Sequence, residues 1–284
     1  MPRFKLLIEY AGTRYSGWQI QQNARTVQGE IDRAIRTAFR PREFELYGSG
    51  RTDAGVHALA QVAHLELYTS LAPEPLRRKL NDELPADIHV IAVEKAPHRF
   101  HARRDAVSRS YLYQISRRRT AFGKPFVWWI KESLHVAAMR EAAALFEGMK
   151  DFRGFTDDDP AEKSTVVLVD GIEIAESGPL VLIRVRGSHF LWKMVRRIVG
   201  ILVEAGRGQI TPEDVGRLLG ATSELPAKLT APAAGLFLES VLYQDGDTVP
   251  PRSLAGLTEL HTRPQKGPAG GAARGSARPK PGRH

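Results

Sequence analysis

The sequence predicts an α/β (α+β) protein built from two similar halves, and three observations support this prediction. Its 284 residues suit one large domain or two modest ones, and 42% of them are hydrophobic, enough to bury a core. Short segments of alternating apolar and polar residues, typical of strands, are separated by segments with apolar residues at helical spacing. The rest of the chain then repeats the succession of strand-like and helix-like segments seen in the first hundred residues.

The N-terminal half is predicted to fold as β-α-β-β-α-β. Its predicted strands are residues 3–12, 43–48, 61–69 and 87–96. Its predicted helices are Val27 to Phe39, where apolar residues recur at helical spacing, and Pro73 to Leu80. Such a half is an α/β sandwich with one open sheet face.

The C-terminal half repeats this arrangement with longer helices. Its predicted strands are residues 109–116, 164–174, 179–187 and 235–243. Its predicted helices are Ser133 to Phe146, Ser188 to Ala205, and one that begins at Thr211 with a proline and two acidic residues in its first turn. Two halves with open sheet faces can join edge to edge, which predicts a continuous sheet surface across both halves.

The predicted domain organisation is an N-terminal half over residues 1–104, a C-terminal half over 105–246 and a basic tail over 247–284. The formal net charge is +9, yet residues 261–284 contain six Lys or Arg and no acidic residue. The rest of the chain holds 35 basic and 32 acidic residues, so the predicted folded body is only mildly basic. The tail is rich in proline and glycine and is predicted to be disordered, either adding affinity for phosphates or aiding solubility.

Local clusters of arginine and lysine indicate a polyanionic partner better than the overall charge does, although each cluster alone is also typical of a solvated surface. The clusters are Arg103–Arg104, Arg109, Arg117 to Arg119, and Lys193 with Arg196–Arg197.

The composition excludes several classes of function. The chain has no cysteine, so it has no disulfide, no thiolate metal site and no cysteine nucleophile. No apolar segment approaches the roughly 20 residues that span a bilayer, so no membrane association is expected. The N-terminal residues lack the apolar core of a secretory signal, and a cytoplasmic location is therefore expected.

A glycine-rich loop, "GSGRTDAGVHA" over Gly48 to Ala58, presents one carboxylate between two predicted strands. It is not a dinucleotide-binding fingerprint, which would need glycine where Asp53 stands, and it lacks the lysine and hydroxyl of a P-loop. The glycines permit unusual backbone angles and close approach, so the loop is interpreted as presenting Asp53. From the residues alone, Asp53 could be a nucleophile, a general base, a metal ligand or a structural cap, and Arg51 its partner or a substrate clamp.

A metal-dependent hydrolase is one alternative function. It would use Asp53, His57 and the acidic segment Asp157 to Asp159 as ligands. No second cluster of histidine and carboxylate supports it, and the acidic segment lies in a polar stretch before Pro160, typical of a solvated turn.

The glycine-rich loop resembles the catalytic loop of the tRNA pseudouridine synthase A family. Five further segments resemble family motifs in the same order along the chain: "YSGWQIQQN", "LNDELPADIHV", "FHARRDAVSRSYLYQI", "FLWKMVRRIVG" and "APAAGLFLESVLY". Together the six span about Arg3 to Tyr243, and their order makes the resemblance specific. Three positions depart from the family pattern: Arg104 replaces an aromatic residue, Arg109 a lysine and Val167 an arginine.

This resemblance implies a fold of two ferredoxin-like, or RNP-like, halves joined into one extended, mixed and mainly antiparallel sheet. Helices would cover its outer face, and a central cleft would bind RNA. The implied activity is isomerisation of uridine to pseudouridine at positions 38 to 40 of tRNA, in the anticodon stem-loop. No cofactor and no metal ion is expected, and the implied assembly is a homodimer in which one tRNA touches both subunits.

The resemblance also implies roles for individual residues. Asp53 would be the nucleophile, and Arg196 would pair with it and fix its direction. Tyr111 would lie against the target base and take part in proton transfer, and Arg51 would enter the stem or replace the displaced base. Leu236 would line the base pocket. A non-catalytic RNA-binding protein on the same scaffold is the remaining alternative, although binding alone does not require Asp53.

Overall fold

The computed structural model describes residues 1–244, and these residues form one mixed sheet flanked by helices. The strands are β1 Arg3–Tyr10, β2 Phe44–Gly48, β3 His57–Leu67, β4 Ile88–Ala96, β5 Ala106–Ser116, β6 Trp128–Trp129, β7 Gly148–Asp151, β8 Val166–Ser177, β9 Leu180–Gly187 and β10 Leu236–Tyr243. The α-helices are α1 Val27–Phe39, α2 Pro73–Glu83, α3 Val136–Ala144, α4 Met194–Gly206, α5 Pro212–Leu218 and α6 Leu225–Lys228.

The strand order is β4-β1-β3-β10-β5-β9-β8-β7, with β2 paired to β3 and β6 to β5. Neighbouring strands are antiparallel except for β10 beside β3 and β6 beside β5, which are parallel. The predicted mixed, mainly antiparallel α/β sheet is therefore confirmed. Strand β10, the last strand of residues 1–244, lies between β3 and β5 and so joins the early strands to the later ones in one sheet.

Two large apolar cores lie on the sheet. One is formed mainly by residues of the first hundred, including Phe4, Ile31 and Leu65. The other is formed mainly by later residues, including Phe146, Ile183 and Ile198. Strand β10 contributes Leu236 to the later core and Leu238 and Val241 to the early core.

Helix α1 has the predicted bounds. Thr26 caps it by accepting a hydrogen bond from the Gly29 amide at 3.2 Å, and its apolar residues are buried. Helix α5 begins as predicted, with a capping box between Thr211 and Asp214.

The predicted start of the long helix at Ser188 is wrong, because α4 begins at Met194. The preceding residues bond elsewhere: the Ser188 amide donates to Leu168 O at 2.9 Å, and the Trp192 amide donates to the Asp158 carboxylate at 3.0 Å. Lys193 then has a left-handed backbone with φ of 61°, which a helix does not continue through. Residues 188–193 therefore form a loop beside the sheet.

Within residues 1–244, the structure contains no helix that is both long enough and apolar enough to span a membrane. The predicted basic tail, residues 247–284, lies outside the described residues.

Candidate active site

The glycine-rich loop leaves the sheet at one edge of β3, where β2 has ended and β10 begins. The Ser49 amide donates to Val62 O at 2.7 Å, and the buried Gln61 side chain donates to Gly50 O at 3.0 Å. Ser49 Oγ also donates to Gln61 Oε1 at 2.6 Å. These bonds fix the first part of the loop to β3, and Asp53 follows three residues after Gly50.

The segment containing Gly17 and Trp18 supports the loop from behind. The Trp18 amide donates to Thr52 O at 3.1 Å, and the Thr52 hydroxyl pairs with the buried Tyr10 hydroxyl at 2.7 Å. Gly17 has φ of +91°, and a Cβ there would lie 2.5 Å from Thr52 O. Glycine is therefore required at this position both for its backbone angle and for the close approach.

Asp53 and Arg196, which are far apart in the sequence, form an ion pair. Arg196 Nη1 donates to Asp53 Oδ2 at 3.2 Å, and Arg196 Nε donates to Ala231 O at 2.7 Å. The Asp53 side chain remains 23% exposed and that of Arg196 16% exposed. The first turn of α4 thus directs a guanidinium, held by a backbone carbonyl, at a carboxylate that solvent can still reach.

Tyr111 lies on β5 in the same region, half-buried. Its ring meets the edge of Phe190 with centroids 5.2 Å apart. Burial and, to a smaller extent, the nearby negative charge of Asp53 raise the pKa of Tyr111 to about 12. At neutral pH the phenol of Tyr111 therefore keeps its proton.

The neighbouring aromatic on the same strand is structural. Tyr113 is fully buried, and its hydroxyl donates to Pro232 O at 2.7 Å. A Cβ at Gly235 would lie 2.6 Å from the Tyr113 ring, so the chain before β10 packs directly on it. Leu236, next along, is buried and paired in register with Tyr113.

All five predicted site residues line one cavity of about 780 Å³. They are Arg51, Asp53, Tyr111, Arg196 and Leu236. Arg51 is exposed, and its side chain makes no hydrogen bond or ion pair with any residue of the described range 1–244. Residues more than a hundred positions apart therefore meet at one site, as the resemblance implies.

Arg109 also lines the cavity, and no local sequence pattern indicates its structural role. Its guanidinium donates to four backbone carbonyls: Ser188 O at 2.7 Å, Arg103 O at 2.9 Å, Ala106 O at 3.0 Å and Ser49 O at 3.3 Å. Burial lowers the pKa of Arg109. The residue joins the glycine-rich loop, the segment before β5 and the 188–193 loop.

The 188–193 loop forms a second part of the wall that the sequence did not indicate. His189, Phe190 and Trp192 line the cavity, and Trp192 is 52% exposed. Phe190, Leu191 and Trp192 are apolar and lead directly into α4, so the sequence pattern predicts a helix here. The bonds of Ser188 and Trp192 to distant residues hold the segment as a loop instead.

The residues of the alternative metal site are used in other ways. His57 is buried: its Nδ1 accepts from the Gly12 amide at 3.0 Å, and its Nε2 lies 3.0 Å from Pro125 O, to which it must donate. Both ring nitrogens are thus occupied by the backbone. Asp157 pairs with Lys193 at 2.8 Å and with Arg197, and Asp158 pairs with Lys163 at 2.9 Å.

These cationic partners lower the pKa of both aspartates against the opposing effect of burial. No group of three His, Cys, Asp or Glu side chains suited to a metal ion occurs among residues 1–244.

Comparison with known proteins places this arrangement in a family. A family model described as tRNA pseudouridine synthase matches residues 6–105 and 142–244, which include Asp53, Arg196 and Leu236 but not Tyr111. tRNA pseudouridine synthase A of Geobacillus kaustophilus is 40% identical over 245 residues, covering 86% of this chain and 95% of that protein. The same-named protein of Afipia carboxidovorans is 41% identical over 246 residues, covering 86% and 100%.

Among solved structures, an archaeal box H/ACA sRNP Nop10–Cbf5 complex matches with a TM-score of 0.33 and 15% identity, covering 72% of this chain and 44% of the other. A likeness of that size supports no further conclusion. The family model and the relatives do: this chain is an enzyme of the tRNA pseudouridine synthase family, and its reaction is an isomerisation.

Proposed function

We propose that this enzyme converts uridine to pseudouridine in the anticodon stem-loop of tRNA, at positions 38 to 40, with Asp53 as the nucleophile. The observation that supports this best is the ion pair of Asp53 and Arg196, 3.2 Å long, in a cavity that Tyr111 also lines. A carboxylate that is held by a cation and yet accessible suits attack on a substrate better than a structural role.

The reaction breaks the bond from N1 of uracil to C1′ of ribose and forms a bond from C5 to the same C1′. The proton on C5 leaves and N1 gains a proton, so no electrons are gained or lost overall. A nucleophile, a site in which the base can turn and a route for one proton are sufficient. Asp53, the cavity and Tyr111 supply these three.

The size of the cavity supports a flipped nucleotide as its occupant. A volume of about 780 Å³ is in the range of sites that enclose a small ligand, whereas a base in a duplex is out of reach of Asp53. Arg51, exposed on the catalytic loop, would take the place of the displaced base, because a planar guanidinium stacks and donates hydrogen bonds. Leu236 would pack against the base.

The proposal extends to assembly, location and domain organisation. We propose a cytoplasmic homodimer with one tRNA touching both subunits, and domain bounds of 1–104 and 105–246. The resemblance supports the homodimer. The two apolar cores support the domain bounds, since one core is formed mainly by residues before 105 and the other mainly by residues after it. Light scattering of the purified protein tests the dimer.

The test of the reaction is tritium release from tRNA labelled at C5 of uridine, measured with EDTA present. Formation of a bond at C5 must expel the label, so the wild type should release it. Asp53→Ala should release none while retaining tRNA affinity. Asp82→Ala is the matched control, because Asp82 is an exposed carboxylate of α2 outside the cavity. Binding by the wild type without release would instead indicate a non-catalytic RNA-binding protein.

A further inference from the structure

A second, smaller pocket lies beside the main cavity, at the start of the glycine-rich loop. We call it the Tyr47 pocket; it is lined by Trp18, Gln19, Gln28, Tyr47, Gly48, Gly50, Arg51 and Arg103. Four of these residues also line the main cavity, namely Gln19, Gly50, Arg51 and Arg103. Its volume is only about 30 Å³, so it cannot enclose a base and instead forms a shallow platform.

The ring of Tyr47 is the platform. It stacks on His64 with centroids 5.9 Å apart and planes 17° apart, and it meets the edge of His101 at 5.0 Å. Even so, 39% of Tyr47 is exposed. An aromatic ring that is already held by other rings can stack on a nucleic-acid base without further ordering of its own side chain.

Three polar side chains around this ring are left without partners. Those of Gln19, Arg51 and Arg103 make no hydrogen bond and no ion pair within the described residues. Other arginines of this half, such as Arg3 and Arg33, pair with carboxylates. Two unpaired guanidinium groups beside one aromatic ring suit a nucleotide, whose phosphate binds arginine and whose base stacks.

The backbone between the two pockets is open. A Cβ added at Gly50 would meet no atom within 4 Å, so a ribose-phosphate chain can pass directly over this residue. An RNA strand leaving the main cavity across Gly50 therefore reaches the Tyr47 pocket next.

We propose that the Tyr47 pocket binds the nucleotide adjacent to the target uridine, and this inference rests on the proposed function. The base stacks on Tyr47, the phosphate lies between Arg51 and Arg103, and the Gln19 amide bonds to the ribose or the base edge. Tyr47, Gln19 and Arg103 are thus substrate-binding residues that hold the strand while the uridine is turned in the main cavity.

The first experiment measures the affinity and the single-turnover rate of full-length variants on a synthetic anticodon stem-loop. Tyr47→Ala should weaken binding roughly tenfold, because stacking on one aromatic ring contributes about that much per base. Tyr47→Phe should bind within about twofold of the wild type, since it keeps the ring. The loss should appear in the dissociation constant much more than in the rate at saturation. Tyr68→Ala, which removes a tyrosine that is 80% exposed and lines neither pocket, is the control.

The second experiment tests the phosphate contact by its dependence on salt. Arg103→Ala should reduce the slope of log affinity against log salt by about one unit. Arg104→Ala is the matched control, because Arg104 adjoins Arg103 in sequence, is also exposed and lines neither pocket. Equal changes in the two variants would indicate a general effect of charge and overturn the proposed phosphate site.

A stem-loop with 2-aminopurine on either side of the target uridine reports stacking directly. Its fluorescence should be quenched at one of the two positions by the wild type and Tyr47→Phe, but not by Tyr47→Ala. No quenching at either position would overturn the proposal. If the wild type converts the stem-loop but Tyr47→Ala behaves as Tyr68→Ala does, the proposed role of the Tyr47 pocket is wrong and the proposed function is retained. If the wild type neither binds nor converts it, the proposed function itself fails.

Discussion

The carboxylate of Asp53 and the guanidinium of Arg196 lie 3.2 Å apart, although 143 residues separate them along the chain. Asp53 lies on a loop beside β3 in the first half, and Arg196 lies in the first turn of α4 in the second. The pair therefore forms only when the folded chain brings this loop and the start of α4 together. A second bond, from Arg196 Nε to Ala231 O at 2.7 Å, fixes the direction from which the guanidinium approaches.

Arg196→Ala should lower turnover roughly 10- to 100-fold, because it removes a charge-assisted hydrogen bond to the proposed nucleophile. The affinity for tRNA should change by about threefold or less, since the guanidinium of Arg196 is directed at Asp53 and Ala231 O and no phosphate contact is assigned to it. The turnover of Arg196→Lys should lie between those of the wild type and Arg196→Ala, because an ammonium cannot reproduce both bonds of the guanidinium. Single-turnover rates and dissociation constants check this, and an equal loss of both quantities would contradict the pairing role. Arg217→Ala, on the exposed face of α5, is the control.

Tyr111→Phe should reduce turnover by about 100- to 10,000-fold, the usual contribution of a positioned proton-transfer group. Because the pKa of Tyr111 is raised to about 12, loss of its proton should not limit the rate of the wild type below about pH 11. Tyr113→Phe is a close control, since its hydroxyl bonds Pro232 O and lies outside the cavity. A pH–rate profile in which Tyr111→Phe abolishes an inflection near pH 10 would contradict the raised pKa.

The glycines behind the loop give a prediction about stability. Gly17→Ala should destabilise the fold by about 3 kcal/mol or more, because it imposes φ of +91° on a residue with a Cβ that meets Thr52 O at 2.5 Å. Gly50→Ala, within the glycine-rich loop itself, should change the free energy of unfolding by less than about 0.5 kcal/mol, since nothing lies within 4 Å of the added atom. Urea unfolding of both variants measures the difference, and similar losses would show that contact at Thr52 is not the cause.

Elements with local signals were predictable from the sequence. Helix α1 has its predicted bounds because Thr26 caps it and its apolar spacing is regular. Helix α4 begins six residues later than predicted, because the bonds of Ser188 and Trp192 to distant residues outweigh the apolar pattern. Nothing within residues 188–193 itself signals those partners.

The candidate site was predictable only in part from the residues. The glycine-rich loop indicated Asp53, since glycines around one carboxylate imply that it is presented. The pairing with Arg196 depends on tertiary contact, so it came from family resemblance and not from spacing. Arg109 bonds only to backbone carbonyls, an arrangement with no side-chain pattern to detect.

His57 should make stability fall as the solution becomes acidic. Burial lowers its pKa to about 4 from the ordinary 6.5, so the unfolded chain takes up the proton first as the pH falls. The contribution of neutral His57 to the free energy of unfolding is therefore complete above pH 6.5 and is lost progressively as the pH falls toward 4. Between pH 7.5 and 5.0, His57 alone should account for roughly 2 kcal/mol of lost unfolding free energy.

His57→Gln should remove that part of the pH dependence, because glutamine does not titrate in this range. The variant should be less stable than the wild type at pH 7.5, since the bonds to Gly12 and Pro125 are disturbed, but its further loss at pH 5.0 should be smaller by about 2 kcal/mol. His89→Gln should keep the wild-type difference, because His89 is exposed on β4. Urea unfolding at the two pH values measures both quantities. An unchanged pH difference in His57→Gln would mean that His57 is not held neutral by burial, and that acid sensitivity has its source elsewhere in the fold.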